Sequence, residues 1–175
     1  PYRTGQNVIR DSISGEIVYM PPEAADVPAL MSEMTEWIAH AEKENVPVPI
    51  IAGVAHYQFV TIHPYYDGNG RTARLLATWI IYRGGYSLGG FFSLEESYSN
   101  DLQGYYRALR THPHHNYYFG ANVSDITPWL EYFTFSMAEV FAQSAKEFGS
   151  ISSGRISKSP VDRLDSRARI VFGLF

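Results

Sequence analysis

Apolar residues in this chain recur mostly three and four positions apart, the spacing that lines one face of a helix. Leu30, Met34, Trp37, Ile38 and Ala41 set the first such stripe, opened by Pro28 in the first turn and running to about Asn45. Pro47 and Pro49 interrupt the chain, and Ile51, Val54, Ala55, Gln58, Phe59 and Ile62 predict a second helix over 50–62. A third runs from Asn69 to Arg83 and is so apolar beyond its first turns that it reads as the buried central helix. Ser93 and Glu96 form a capping box for a fourth helix carrying Tyr98, Leu102, Tyr105, Tyr106 and Leu109. Asp125 or Thr127 caps the last long helix, with Pro128 in its first position and Leu130, Phe133, Met137, Val140 and Phe141 facing the core.

Residues 8–20 depart from this rhythm. The β-branched pairs Val8-Ile9 and Ile17-Val18, the latter followed by Tyr19, flank the turn-forming run Asp11 to Gly15, and Pro21-Pro22 ends the segment, so a β-hairpin is expected. A two-stranded hairpin is marginal alone and must lean on the helical body. It is either a flap whose edge pairs with an extended protein segment or a plain hairpin with no such role. The pattern as a whole predicts an all-α domain over residues 1–150 with one β-hairpin. The Ser-, Gly- and Lys-rich stretch Gly149 to Ser159 reads as a linker, and residues 151–175 as that linker plus the start of a further element carrying Leu164, Ala168, Val171 and Leu174.

Composition narrows the options. With 175 residues, 45% of them apolar, one core is the natural expectation, and a net charge of -4 argues against a general nucleic-acid binder. The absence of cysteine excludes disulfides and thiolate metal sites and agrees with a reducing compartment. No apolar run approaches the roughly 20 residues needed to span a bilayer, so a soluble, cytoplasmic protein with no membrane partner is expected. The chain starts at Pro1, which suggests a piece of something longer. His112, His114 and His115 lack the helical pair spacing that converges on zinc, and a structural loop is preferred there. His56, seven residues before His63, reads as a packed histidine, the alternative being a group that steadies the loop that follows.

That loop is the densest chemistry in the chain: His63-Pro64-Tyr65-Tyr66-Asp67-Gly68-Asn69-Gly70-Arg71-Thr72-Ala73-Arg74. Pro64 and the Asp67 to Gly70 run carry turn signals, and the helical pattern starts at Asn69, so the loop ends at a helix N-terminus. Free N–H groups and the positive end of the helix dipole make such a terminus an anion site. Arg71 and Arg74, three apart, are able to project from one face toward the same phosphate. Asp67 offers a hard oxygen for Mg²⁺, and His63 an acceptor for the proton of an attacking hydroxyl. The inventory is that of a nucleotide-phosphate site with its own base.

The same stretch resembles the signature of the Fic (filamentation induced by cAMP) family, His-Pro-Phe-x-Asp/Glu-Gly-Asn-Gly-Arg-x-x-Arg, with Tyr65 in place of Phe. The resemblance implies a Fic-type helical bundle around a central loop and helix, and transfer of AMP from ATP to a Ser, Thr or Tyr hydroxyl of a target protein. It makes His63 the base, Asp67 the Mg²⁺ ligand, Gly68, Asn69 and Gly70 the phosphate cradle, and Arg71 and Arg74 the neutralising cations. It also makes Ile17, Val18 and Tyr19 part of a target-docking flap. Tyr105-Tyr106-Arg107-Ala108-Leu109 resembles a segment that lines the base pocket, so Tyr105 or Tyr106 is expected to touch adenine.

Alternatives within and beyond the family stay open: removal of AMP, transfer of another phosphate-containing group, or a nucleotide-sensing module coupled to a DNA-binding tail. Phosphate-transferring relatives of the Doc type carry Lys where Gly70 stands, which argues against that branch. Fic activity is commonly restrained by a Ser/Thr-x-x-x-Glu-Gly/Asn helix whose glutamate pairs with the second signature arginine, here Arg74. Ser12 to Glu16 and Ser32 to Glu36 come nearest but are followed by Ile17 and Trp37, so the inhibitory helix is expected upstream of Pro1 or from a partner. Leu164 to Arg169 resembles the opening helix of a winged-helix domain, which would bring DNA or a partner.

Overall fold

The computed structural model describes residues 1–11, 14–86, 94–111, 114, 116–120 and 124–152. Within them the protein is helical with one small antiparallel sheet. Strands β1 (Ile9–Arg10) and β2 (Ile17–Tyr19) pair Ile9 with Tyr19 and Arg10 with Ile17 across a register irregularity. The hairpin is thus shorter than the expected 8–20. It leans on the helices as a marginal hairpin must: the Tyr19 hydroxyl donates to the Thr61 carbonyl at 3.1 Å, and Met20 bridges to Asn116.

Helix α1 (Val27–Lys43) has Pro28 in its first turn and buries Val27, Met31, Met34, Ile38 and Ala41. Trp37, expected in that stripe, sits outside it and is exposed. Helix α2 (Val48–Ile62) buries Ile51, Ala52, Gly53, Ala55, His56, Tyr57, Phe59 and Ile62, which cover most of its circumference and leave half-buried Val54, Gln58 and Thr61 on the remaining side. It packs against α1, against α3 (Asn69–Arg83) and against α6 (Thr127–Ser152), and so is the central helix. The sequence pattern had assigned that place to α3, and the structure corrects it. Small Ala73 and Ala77 with Ile80 and Ile81 form the inner face of α3, whereas Leu75, Trp79 and Tyr82 are exposed. Hydropathy cannot tell a helix covered on most sides from one with apolar groups facing water.

The expected fourth helix is two: α4 (Leu94–Asn100) and α5 (Leu102–Leu109). Asp101 leaves helical geometry at φ -134°, ψ 61°, and its Oδ1 accepts from Gly104 N at 3.0 Å, so a local cap outcompetes helix continuation. The cap needs a glycine at 104, where a Cβ would lie 1.9 Å from Asp101 Oδ2. Helix α6 starts behind Asp125, whose Oδ1 accepts from Thr127 N at 2.9 Å. It buries Trp129 and Phe133 completely, and the Trp129 indole donates to the Gly53 carbonyl at 2.8 Å. Close approach depends on Gly53, since a Cβ there would come 2.9 Å from Leu130 and 3.1 Å from Phe133. The backbone of α6 continues through Gly149 to Ser152, past the point where a linker is expected to begin. The Ser93 cap, His112, His115 and the element beyond residue 152 lie outside the described residues.

Candidate functional site

The candidate site is the junction between α2 and α3. His63 ends α2 in the left-handed region, φ 54° and ψ 57°, uncommon for a residue with a side chain. Its ring Nδ1 lies 3.1 Å from the Val60 carbonyl. When Nδ1 carries the proton and donates there, Nε2 is left as the acceptor. Burial holds the His63 imidazole below its ordinary pKa, and the nearby Arg3 cation acts in the same direction, against the raising effect of the Val60 bond. The ring is therefore neutral near pH 7 and competent as a base.

Asn69 staples the loop. Its Oδ1 accepts from Tyr65 N at 2.9 Å and its Nδ2 donates to Tyr65 O at 2.8 Å, with the side chain buried. Asn69 thus contributes its backbone N–H to the loop's mouth while its amide closes the loop behind it. Gly68 takes φ 82°, which suits glycine, and its N–H donates to Asp67 Oδ1 at 2.6 Å. The first bond of the α3 ladder is Thr72 N to Gly68 O. The N–H groups of Asn69, Gly70 and Arg71 precede it and point out of the helix end, where the dipole favours an anion.

The two arginines diverge. Arg71 turns back to Asp67, Nη2 to Oδ2 at 3.1 Å, in a solvent-exposed pair. Arg74 is mostly buried and its Nε donates to Glu95 on α4. Its other end reaches back over the loop, since a Cβ on Gly70 would lie 3.3 Å from Arg74 Nη1. Arg74 therefore spans Gly70 and Glu95, and it has a glutamate partner where the sequence reading saw none. Nothing in the spacing singles out Glu95, because the contact joins elements that are remote in sequence.

Tyr105 and Tyr106, taken together in the sequence reading, have different places. Tyr105 is buried, packs against Tyr98 with its ring tilted by 37°, and bonds through its hydroxyl to His56 Nε2 at 3.0 Å. Burial pushes its pKa up to about 12, opposed by Arg74. Tyr106 is exposed and is the one with a free face to offer a base. His56 is fully buried against Trp129, and burial first, with the Arg74 cation second, pushes its pKa down to about 3. It is a packed, neutral histidine. In the hairpin, Ile17 is exposed while Val18 and Tyr19 are half-buried. Because the Tyr19 hydroxyl is tied to α2, Ile17 is the most available of the three to a docking chain.

Fold and site define a class: a helical body that holds a histidine at the end of one helix and a glycine-rich turn with free N–H groups at the start of the next, beside a small hairpin. The profile of the Fic/DOC family matches residues 2–81, and this stretch is a Fic/DOC domain. Over 69 residues the chain is 42% identical to "Protein adenylyltransferase Fic" of Drosophila grimshawi and 44% identical to that of Culex quinquefasciatus. Each match covers 39% of this chain and 14% of the relative. Among solved structures, a Fic family protein from Desulfovibrio desulfuricans superposes with a TM-score of 0.64 at 27% identity, over 93% of this chain and 44% of that one. A Fic domain containing signaling protein from Bacteroides thetaiotaomicron gives 0.66 at 26% identity, over 83% and 53%. The chain thus spans about half the length of these solved relatives and a smaller part of the curated ones. Among the described residues no helix is long and apolar enough to cross a membrane.

Proposed function

We propose that this chain transfers AMP from ATP to a hydroxyl of a target protein. The observation that carries the reading is the juxtaposition of a half-buried, neutral His63 with the unpaired N–H groups at the head of α3. The target oxygen bonds to the α-phosphorus, the bond from that phosphorus to the α,β-bridging oxygen breaks, and pyrophosphate leaves with the electron pair. The target's proton goes to His63 Nε2. Backbone N–H groups of Asn69, Gly70 and Arg71 and the cations of Arg71 and Arg74 hold the phosphates, and the Gly68 N–H, bonded to Asp67 Oδ1 in this structure, joins the cradle only if that bond opens. Charge stabilisation and positioning thus carry most of the catalysis.

Asp67 fits a Mg²⁺ ion. Its carboxylate is almost fully exposed beside the turn; Oδ1 accepts from the Gly68 N–H, and Oδ2 is held by Arg71 only in a surface pair worth about 0–1 kcal/mol. Mg²⁺ prefers one or two carboxylates with phosphate oxygens and water as its remaining ligands, and when bound it would withdraw charge from the phosphates.

Gly70 also favours AMP transfer over Doc-type phosphate transfer, since a side chain there meets Arg74 Nη1. Incubation of cell lysate with ATP labelled at the α- or the γ-phosphate tests the reading. Label retained on protein from the α-position only is expected, and label from the γ-position only would overturn it. Restraint of the enzyme by a glutamate from outside residues 1–175, DNA binding through a further domain, and a cytoplasmic location belong to this proposal as well.

A further inference from the structure

Arg3 is the most deeply buried cation among the described residues, at 2% exposure, and none of the described carboxylates pairs with it. A buried guanidinium without a counterion is costly unless its donors are satisfied. Here backbone carbonyls satisfy them. Nε donates to His63 O at 2.9 Å, Nη1 to Gly5 O at 3.0 Å, and Nη2 to Pro22 O at 2.5 Å and Ile62 O at 3.4 Å. The Arg3 amide adds a bond to Pro64 O at 2.8 Å.

Two of these acceptors, Ile62 and His63, are carbonyls at the C-terminus of α2, where unpaired C=O groups and the dipole favour a cation. A third, Pro22, lies just beyond the hairpin. Arg3 thus joins the end of the hairpin to the backbone of the histidine itself. The residues beside it continue the seam: Gly5 N and Thr4 N donate to the Tyr66 hydroxyl at 2.7 and 3.2 Å, and Asn7 Nδ2 to Tyr65 O at 3.3 Å.

We propose that Arg3 is a positioning residue of the transfer reaction, clamping His63 in its left-handed backbone conformation and fixing the hairpin to it, so that base and docking strand form one rigid unit. The inference rests on the AMP-transfer reading for its kinetic consequences. His63 sits in a left-handed turn, and the Nε bond to His63 O fixes the orientation of the peptide that follows it. A base displaced by about 1 Å loses on the order of 10²-fold in rate. The cation also disfavours protonation of the ring, whose other neighbours are the Val60 carbonyl and the apolar surround.

The test uses the full chain with Arg3→Lys and Arg3→Gln. AMP transfer to the proteins labelled in lysate is measured against ATP concentration, and the His63 imidazole is titrated by NMR. The clamp predicts that kcat falls on the order of 10²-fold in Arg3→Gln with KM for ATP nearly unchanged, because residues 68–74 are untouched. Arg3→Lys falls between, since an ammonium cannot reach four carbonyls as a planar fork does. Millimolar guanidinium ion restores part of the Arg3→Gln rate, and the His63 pKa rises in Arg3→Gln. Unchanged kcat, a KM that rises as kcat falls, an unmoved His63 titration, or unfolding of both variants would overturn the proposal, the last by showing that Arg3 serves the fold at large. A wild-type chain that labels nothing counts against AMP transfer alone, and the titration still decides the clamp.

Discussion

Arg74 must hold phosphate if the site works as proposed, yet its Nε is taken by Glu95. The Arg74 side chain is 19% exposed and that of Glu95 62%, so the pair sits at the surface end of the electrostatic range. Pairs of that kind contribute about 0–1 kcal/mol after screening and side-chain entropy. A nucleotide that draws Arg74 toward Gly70 loosens this contact and gives up that amount. Glu95→Ala is therefore expected to tighten ATP binding by up to about fivefold, the equivalent of 1 kcal/mol. Glu95→Gln, which keeps a hydrogen-bond acceptor but no charge, falls between. The gain shrinks as salt is raised, because screening already weakens the wild-type pair. Calorimetric titration with ATP at low and high salt measures both effects, with urea unfolding to check that stability moves by less than about 1 kcal/mol. Weaker ATP binding by Glu95→Ala would refute the reasoning and make Glu95 a group that orients Arg74 for phosphate.

Other expectations follow from the packing and from the histidines. Trp129→Phe removes the indole bond to the Gly53 carbonyl, which keeps its helical partner, and should cost about 0.5–1.5 kcal/mol in urea unfolding while the labelling pattern stays the same. Gly53→Val overpacks the contact between α2 and α6 and should cost about 1–3 kcal/mol, seen as a lower melting temperature. His63 is held below the ordinary histidine pKa, so AMP transfer should be level from pH 7 upward and fall only below 6.5; an acid limb centred above 7 would contradict the assignment. His56 titrates at about 3 in the folded chain against 6.5 unfolded, so below pH 6.5 the unfolded state binds a proton that the folded state does not. Its contribution to stability is then lost at about 1.4 kcal/mol per pH unit on acidification, and its NMR signal should remain that of a neutral ring at pH 5.

The signature loop was legible because its residues are contiguous: turn signals, a helix start and a base within twelve positions need no knowledge of tertiary contacts. The bounds of α3 followed from the same local logic, and the helical stripes gave an all-α body with a hairpin. What the pattern missed depends on three-dimensional neighbours. The exposed outer face of α3 and the enclosure of α2 have the same hydropathy. The break at Asp101 is decided by a cap that competes with the helix. The split between Tyr105 and Tyr106 turns on His56, which approaches from a helix far upstream, and the Arg74–Glu95 pair and the Arg3 clamp likewise join segments remote in sequence. Only its burial against His63 and Pro22 gives Arg3 a role.

The most direct test of the central claim compares wild type and His63→Ala for two readouts, protein labelling from α-³²P-ATP and binding of ATP. A general base contributes about 10²- to 10⁴-fold, so labelling should fall by that factor while ATP binds as before. Labelling by His63→Ala at the wild-type rate would contradict the account.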